Sequence, residues 1–123
     1  MLKIYYNPRC KICSQSLSLL KEKGFEPTIV DYLKKPLSSS ELKKLLVKLN
    51  MKPREIIREN EIIFKEKFKG KNFTDEEWIK IILEYPILMQ RPIIEKEYKA
   101  VIGRPIENIH DFILKTKINE NKN

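Results

Sequence analysis

The stretch LKIYYNPRCKICSQSLSLLKEKGFEPTIVDY, residues 2–32, sets the topology of the chain. Leu2 to Tyr6 is aliphatic and aromatic and ends at Asn7-Pro8, the pattern of a strand closed by a turn. A helix fits from about Lys11 to Lys23, with Ile12, Leu19 and Leu20 available to a core and Gly24 as its stop. Pro27 to Tyr32 reads as a second strand. Strand, helix and strand within about thirty residues make a βαβ unit, the opening of an α/β fold.

Cys10 falls in the turn between the first strand and the helix. The free N–H groups at a helix start carry partial positive charge, which lowers a thiol's pKa and draws anions to the same place. Arg9 and Lys11 flank the cysteine and act in the same direction. A buried, inert thiol is the competing reading, but burial does not explain a C-x-x-C spacing at a helix start. Cys13 lies one helical turn further on. It is a candidate resolving thiol, able to form a disulfide with Cys10, or else a packed helix residue that never reacts. These two are the whole cysteine supply, and three residues close too small a loop to staple a fold. A structural zinc needs four ligands, and beyond these thiols the chain offers one histidine, His110, so no metal is expected.

Beyond this unit the chain turns helical. Ser38 and Glu41 form a capping box ahead of Leu42, Leu45, Leu46 and Leu49, which share one helical face. Pro53 can open another helix carrying Ile56, Ile57, Ile63 and Phe64. Thr74 and Glu77 make a second capping box before Trp78, Ile81, Ile82 and Tyr85. Pro92 to Lys96 and Lys99 to Ile102 then read as a β-hairpin, and Pro105 as the start of a last helix with Ile106, Ile109 and Ile113 on one side. The expected organisation is one domain over residues 1–118, with a helical insertion at about 36–90 and a polar, frayed tail from Asn119 to Asn123.

No apolar run approaches the roughly 20 residues of a spanning helix, and no basic-then-apolar signal segment opens the chain, so a cytoplasmic location is expected. The formal charge of +8 implies attraction for anions. Most of it is lysine spread over the chain without an arginine-rich, aromatic-interleaved stripe, so neither nucleic acid nor membrane is an expected partner. Against 20 lysines there are only five arginines: Arg9, Arg54, Arg58, Arg91 and Arg104. Arginine's planar fork binds oxyanions through paired hydrogen bonds that lysine cannot imitate, so each one is a candidate ligand.

IYYNPRC, IIREN, ILMQRPI and IGRPIENI, taken together, resemble the signature segments of the glutaredoxin-dependent arsenate reductases, in that family's order from about Leu2 to Leu114. The resemblance implies a thioredoxin-like mixed sheet with an inserted helical subdomain. It implies Cys10 as the nucleophile toward arsenate, with Arg58, Arg91 and Arg104 holding the oxyanion. It further implies glutathione as co-substrate with no bound cofactor, glutaredoxin as the reductant of the mixed disulfide, and a supporting cis-proline at Pro92. A monomer is expected, since no strongly apolar stripe is left over. Two positions depart from the family pattern. Tyr6 stands where a histidine is usual, which leaves thiolate activation to the helix and the arginines. Cys13 replaces a serine and is similar to the C-x-x-C of the Spx-type regulators, which bind RNA polymerase through a redox switch. A Cys10/Cys13 switch is therefore the alternative function. The Gly103-Arg104-Pro105 segment favours the oxyanion enzyme.

Overall fold

The computed structural model of the chain describes residues 2–121, with side chains as far as Leu114. It divides into two compact units, one of Met1–Val30 with Arg91–Asn123 and one of Asp31–Gln90. In the first unit, β1 (Lys3–Tyr5) is followed by α1 (Lys11–Glu22) and β2 (Thr28–Val30), then by β3 (Ile93–Glu95), β4 (Ala100–Ile102) and α5 (Glu107–Asn121). The sheet order is β2-β1-β3-β4. β1 and β2 are parallel, as a helical crossover requires, whereas β3 runs antiparallel to both β1 and β4.

The register separates the two faces of this sheet. Ile4 lies opposite Ile94, which lies opposite Val101, so these three share a face. That face joins Leu2 from just before β1, Leu19 and Leu20 from α1, and Ile109 and Ile113 from α5 in one hydrophobic cluster. Each fully buried isoleucine or leucine here contributes about 1.5–3 kcal/mol relative to exposure. Tyr6 packs on the rim of the same cluster. Tyr5 and Glu95 point to the opposite face, where the buried tyrosine hydroxyl donates to the buried carboxylate at 2.6 Å. Pairing satisfies a charge that would otherwise be costly to bury.

The second unit contains α2 (Ser39–Leu49), α3 (Ile62–Lys67) and α4 (Asp75–Glu84), with 3₁₀ turns at Pro53–Ile56 and Pro86–Leu88. Both expected capping boxes form, at Ser38 with Glu41 and at Thr74 with Glu77. α2 packs its leucine face on α4. Arg54 stacks over the Phe64 and Trp78 rings, 5.2 Å from each centroid, and pairs with Glu59. Its position accounts for one of the five arginines as a packing element.

Three expectations change. The helix read from Pro53 to Phe64 is broken: a 3₁₀ turn ends at Ile56, Ile57 bridges Met89, and α3 begins only at Ile62. The Arg58 N–H donates to the Leu88 carbonyl at 2.7 Å, and the Gln90 N–H to the Ile56 carbonyl at 2.8 Å. Those backbone groups cannot also serve a continuous helix. Pro105 does not open α5; the Arg104-Pro105 bond is cis, and a turn intervenes before the helix begins at Glu107. At the far end, Asn119 to Asn121 continue α5, and residues 122–123 lie outside the described residues.

Candidate active site

The turn after β1 is built by Asn7. Its buried side-chain Oδ1 accepts from the Arg9 N–H at 2.9 Å, and its carbonyl accepts from the Cys10 N–H at 2.9 Å. An asparagine that bonds backbone two residues on mimics a backbone turn. The turn delivers Cys10 to the N-cap of α1 with φ −92° and ψ 115°, the extended conformation such a position takes. There the Cys10 sulfur accepts from the Cys13 N–H at 3.3 Å. No acidic residue occupies the first turn of α1, so nothing there neutralises the helix terminus.

Sheet pairing brings in the arginines. Tyr5 lies opposite Ile93, so Arg91 and Pro92, which precede β3, lie beside the turn that follows β1. The Arg91-Pro92 bond is cis. At the other end of the hairpin, the Gly103 N–H donates to the Pro92 carbonyl at 2.8 Å and carries Arg104 alongside. Arg104 Nε donates to the Arg91 carbonyl at 2.6 Å, and its Nη2 reaches the Cys10 sulfur at 3.4 Å. A Cβ on Gly103 would sit 2.7 Å from Ile109 Cδ1 and 3.0 Å from Pro92 Cγ. Only glycine fits between these two side chains without displacing one of them.

Burial raises the pKa of Cys10, which is 5 % exposed, but the opposing influences prevail. The Cys13 thiol and N–H, the hydrogen-bonding Arg91 guanidinium and the charge of Arg104 together bring it below the ordinary value of 9.0. Cys13 moves the other way. Burial first, and then the adjoining Cys10, push it up to about 12, against the Asn7 N–H and Arg91. The two shifts run in opposite directions, so Cys10 is the thiol of the pair that gives up its proton first, with the Cys13 S–H donating to it. A thiolate held by two guanidinium groups at a helix start can attack an electrophilic centre that is itself an oxyanion, because the same cations screen the repulsion between the two anions.

Cys10, Cys13, Arg91, Pro92 and Arg104 thus come together. Arg58 lies in the helical unit, where its Nε donates to Glu61 Oε1 at 3.2 Å. Arg9 and His110 are exposed. Asn7 and Gly103 are parts of the site that sequence reasoning did not single out. Asn7-Pro8 reads in the sequence as a turn but gives no sign that the Asn7 side chain builds it, and Gly103 reads only as a family mark, although a glycine closing a strand signals a close approach. Among the described residues no group of three or more His, Cys, Asp or Glu side chains is placed to hold a metal ion, and no helix is long and apolar enough to cross a membrane.

A family model described as the ArsC family matches residues 5–112. The chain is 40 % identical over 114 residues to the uncharacterized protein YfgD of Escherichia coli (strain K12), covering 91 % of this chain and 96 % of that protein. It is 37 % identical over 110 residues to the arsenate reductase of Neisseria meningitidis serogroup B, covering 88 % of this chain and 94 % of that one. Among solved structures, the arsenate reductase from Vibrio cholerae superposes with a TM-score of 0.84 at 32 % identity, covering 89 % of this chain and 95 % of that chain.

Proposed function

The chain belongs to the ArsC family, with its thioredoxin-like α/β fold, and on that premise we propose that it reduces arsenate to arsenite through Cys10. The observation that carries this reading is the Arg104 guanidinium 3.4 Å from a cysteine sulfur at the start of a helix. The Cys10 thiolate attacks arsenic and displaces water from the protonated oxyanion, giving a thiolate–arsenic adduct. Glutathione then attacks this adduct. Arsenic(V) takes two electrons and leaves as arsenite, while the Cys10 and glutathione thiols become a mixed disulfide. Glutaredoxin returns Cys10 to the thiol by disulfide exchange. The sum is arsenate plus two thiols to arsenite, one disulfide and water. Arg91 and Arg104 hold the oxyanion and offset the charge that builds on it, Pro92 supports the turn, and the family resemblance assigns Arg58 the same oxyanion-holding task. This relay requires a reducing thiol pool, which supports a cytoplasmic location.

The test is arsenate reduction coupled to glutathione and glutaredoxin, with Cys13→Ser alongside the natural chain. Turnover that requires both thiol components is the expected result, and none by the natural chain would sink the assignment. Cys13→Ser keeps a hydrogen-bond donor but has no sulfur. Its retained turnover makes glutathione the resolving thiol and Cys13 a donor to the thiolate, whereas its loss makes Cys13 the resolving thiol. The reading as a Cys10/Cys13 redox regulator of RNA polymerase has only the C-x-x-C spacing in its favour.

A further inference from the structure

We propose that Asn108 is a positioning residue of this site: its amide clamps the turn that carries Arg104 and so holds the guanidinium on the Cys10 sulfur. The inference rests on the assignment of Arg104 to the thiolate made above. Arg104 lies between the end of β4 at Ile102 and the start of α5 at Glu107, outside any regular element. Its own backbone N–H and carbonyl therefore have no strand or helix to hold them. Asn108, the second residue of α5, supplies the tie. Its Nδ2 donates to the Ile102 carbonyl at 3.1 Å and to the Arg104 carbonyl at 3.1 Å. An amide nitrogen has two protons, and both are used, one on each side of Gly103.

The clamp connects directly to the chemistry. The residue whose carbonyl it holds sends Nε to the Arg91 carbonyl at 2.6 Å and Nη2 to the Cys10 sulfur at 3.4 Å. A free arginine side chain samples many rotamers, so fixing its backbone narrows the set that can reach the sulfur. Asparagine is a poor helix former because its amide seeks nearby backbone, and here that tendency is put to use at the helix start.

The experiment is the pH profile of Cys10 alkylation by iodoacetamide on the reduced full chain, with a thermal melt of each variant. Asn108→Ala, Asn108→Leu (similar in shape, without donors), Arg104→Ala and the Arg104→Ala/Asn108→Ala pair are compared with the natural chain. The groups facing Cys10 are Cys13 on α1, Arg91 before β3 and Arg104 before α5, and in each Asn108 variant all three remain. The expected result is an upward shift of the midpoint in both Asn108 variants, seen as roughly 2- to 5-fold slower alkylation near neutral pH, with a larger shift in Arg104→Ala. In the Arg104→Ala background the Asn108 substitution adds nothing, because the two act in series. A shifted Arg104→Ala profile with unshifted Asn108 variants overturns the clamp and leaves the thiolate assignment standing. An unshifted Arg104→Ala profile overturns both. An equal Asn108 effect with and without Arg104 also overturns the clamp. Should Asn108→Ala melt below the assay temperature, Asn108→Leu carries the same test, since it retains the side-chain volume.

Discussion

The start of α1 and the starts of α2 and α4 use one geometry for two purposes. In each, the side chain of the N-cap residue accepts from the backbone N–H three residues on: Cys10 from Cys13, Ser38 from Glu41, Thr74 from Glu77. In α2 and α4 the third residue is a glutamate whose carboxylate returns to the N-cap N–H; it is the one acid in the first turn of α2, and in α4 Asp75 and Glu76 join it. Their helix termini are neutralised, and the result is stability. In α1 the third residue is Cys13, the first turn has no acid, and the N-cap N–H goes instead to the Asn7 carbonyl. The positive end of that helix is left uncompensated, and the atom placed in it is a sulfur that can ionise. Helix capping is a stability device until the capping atom is a nucleophile; leaving the terminus unneutralised then turns it into part of a reactive site.

The strongest test of that contrast is Cys10→Ser. Serine is a good N-cap, so the helix keeps its start and the melting temperature stays within a few degrees, while arsenate reduction falls by roughly 10³-fold or more for loss of a nucleophile. Near-natural turnover would remove Cys10 from the chemistry. The substitution also removes a pH-dependent contribution. The folded Cys10 value is depressed, so the stability its thiolate contributes is fully present above pH 9.0 and is lost as the pH falls through the folded value. The raised Cys13 value contributes the opposite way, present below pH 9.0 and lost as the pH rises through about 12. Urea denaturation across this range should show the first dependence disappear in Cys10→Ser and the second persist.

Lys11→Glu makes α1 resemble α2 and α4 by giving its first turn an acid at an exposed position. Stability and reactivity should then separate. The helix gains about 0.3–1 kcal/mol from the better charge–dipole match, and alkylation of Cys10 near neutral pH slows by roughly 2- to 5-fold as the thiolate loses support. Faster alkylation in this variant would show that the helix terminus does not activate the sulfur.

The converse substitutions, Ser38→Ala and Thr74→Ala, should each cost about 1 kcal/mol in denaturant unfolding and leave turnover within about twofold of natural. A loss of turnover comparable to that of Cys10→Ser in either would show that these caps serve the chemistry too, and the contrast between the two kinds of helix start would fail.

Much of this was present in local sequence. Asn7-Pro8 before Cys10, the apolar spacing of Leu19 and Leu20, and the two Ser/Thr-x-x-Glu boxes are short-range patterns, and short-range patterns specify turns, helix starts and buried faces. They placed the nucleophile at the mouth of a helix and named the arginines through resemblance to a family. They failed where a distant partner overrode the local preference. Ile57 is helix-compatible, yet its bridge to Met89 interrupts the helix read through it. Pro105 is a reasonable helix opener, yet its place is taken by a turn that Asn108 ties to Ile102 and Arg104. A glycine closing a strand signals a close approach, but only the fold identifies what approaches Gly103: the Ile109 and Pro92 side chains. Above all, Arg104 and Cys10 are 94 positions apart. Their meeting depends on β3 pairing with β1 and β4 with β3, and such pairing is a property of the closed sheet rather than of any window of residues. Local chemistry therefore made Cys10 a thiol at the positive end of a helix, and the long-range strand pairing supplied the guanidinium groups that lower its pKa further.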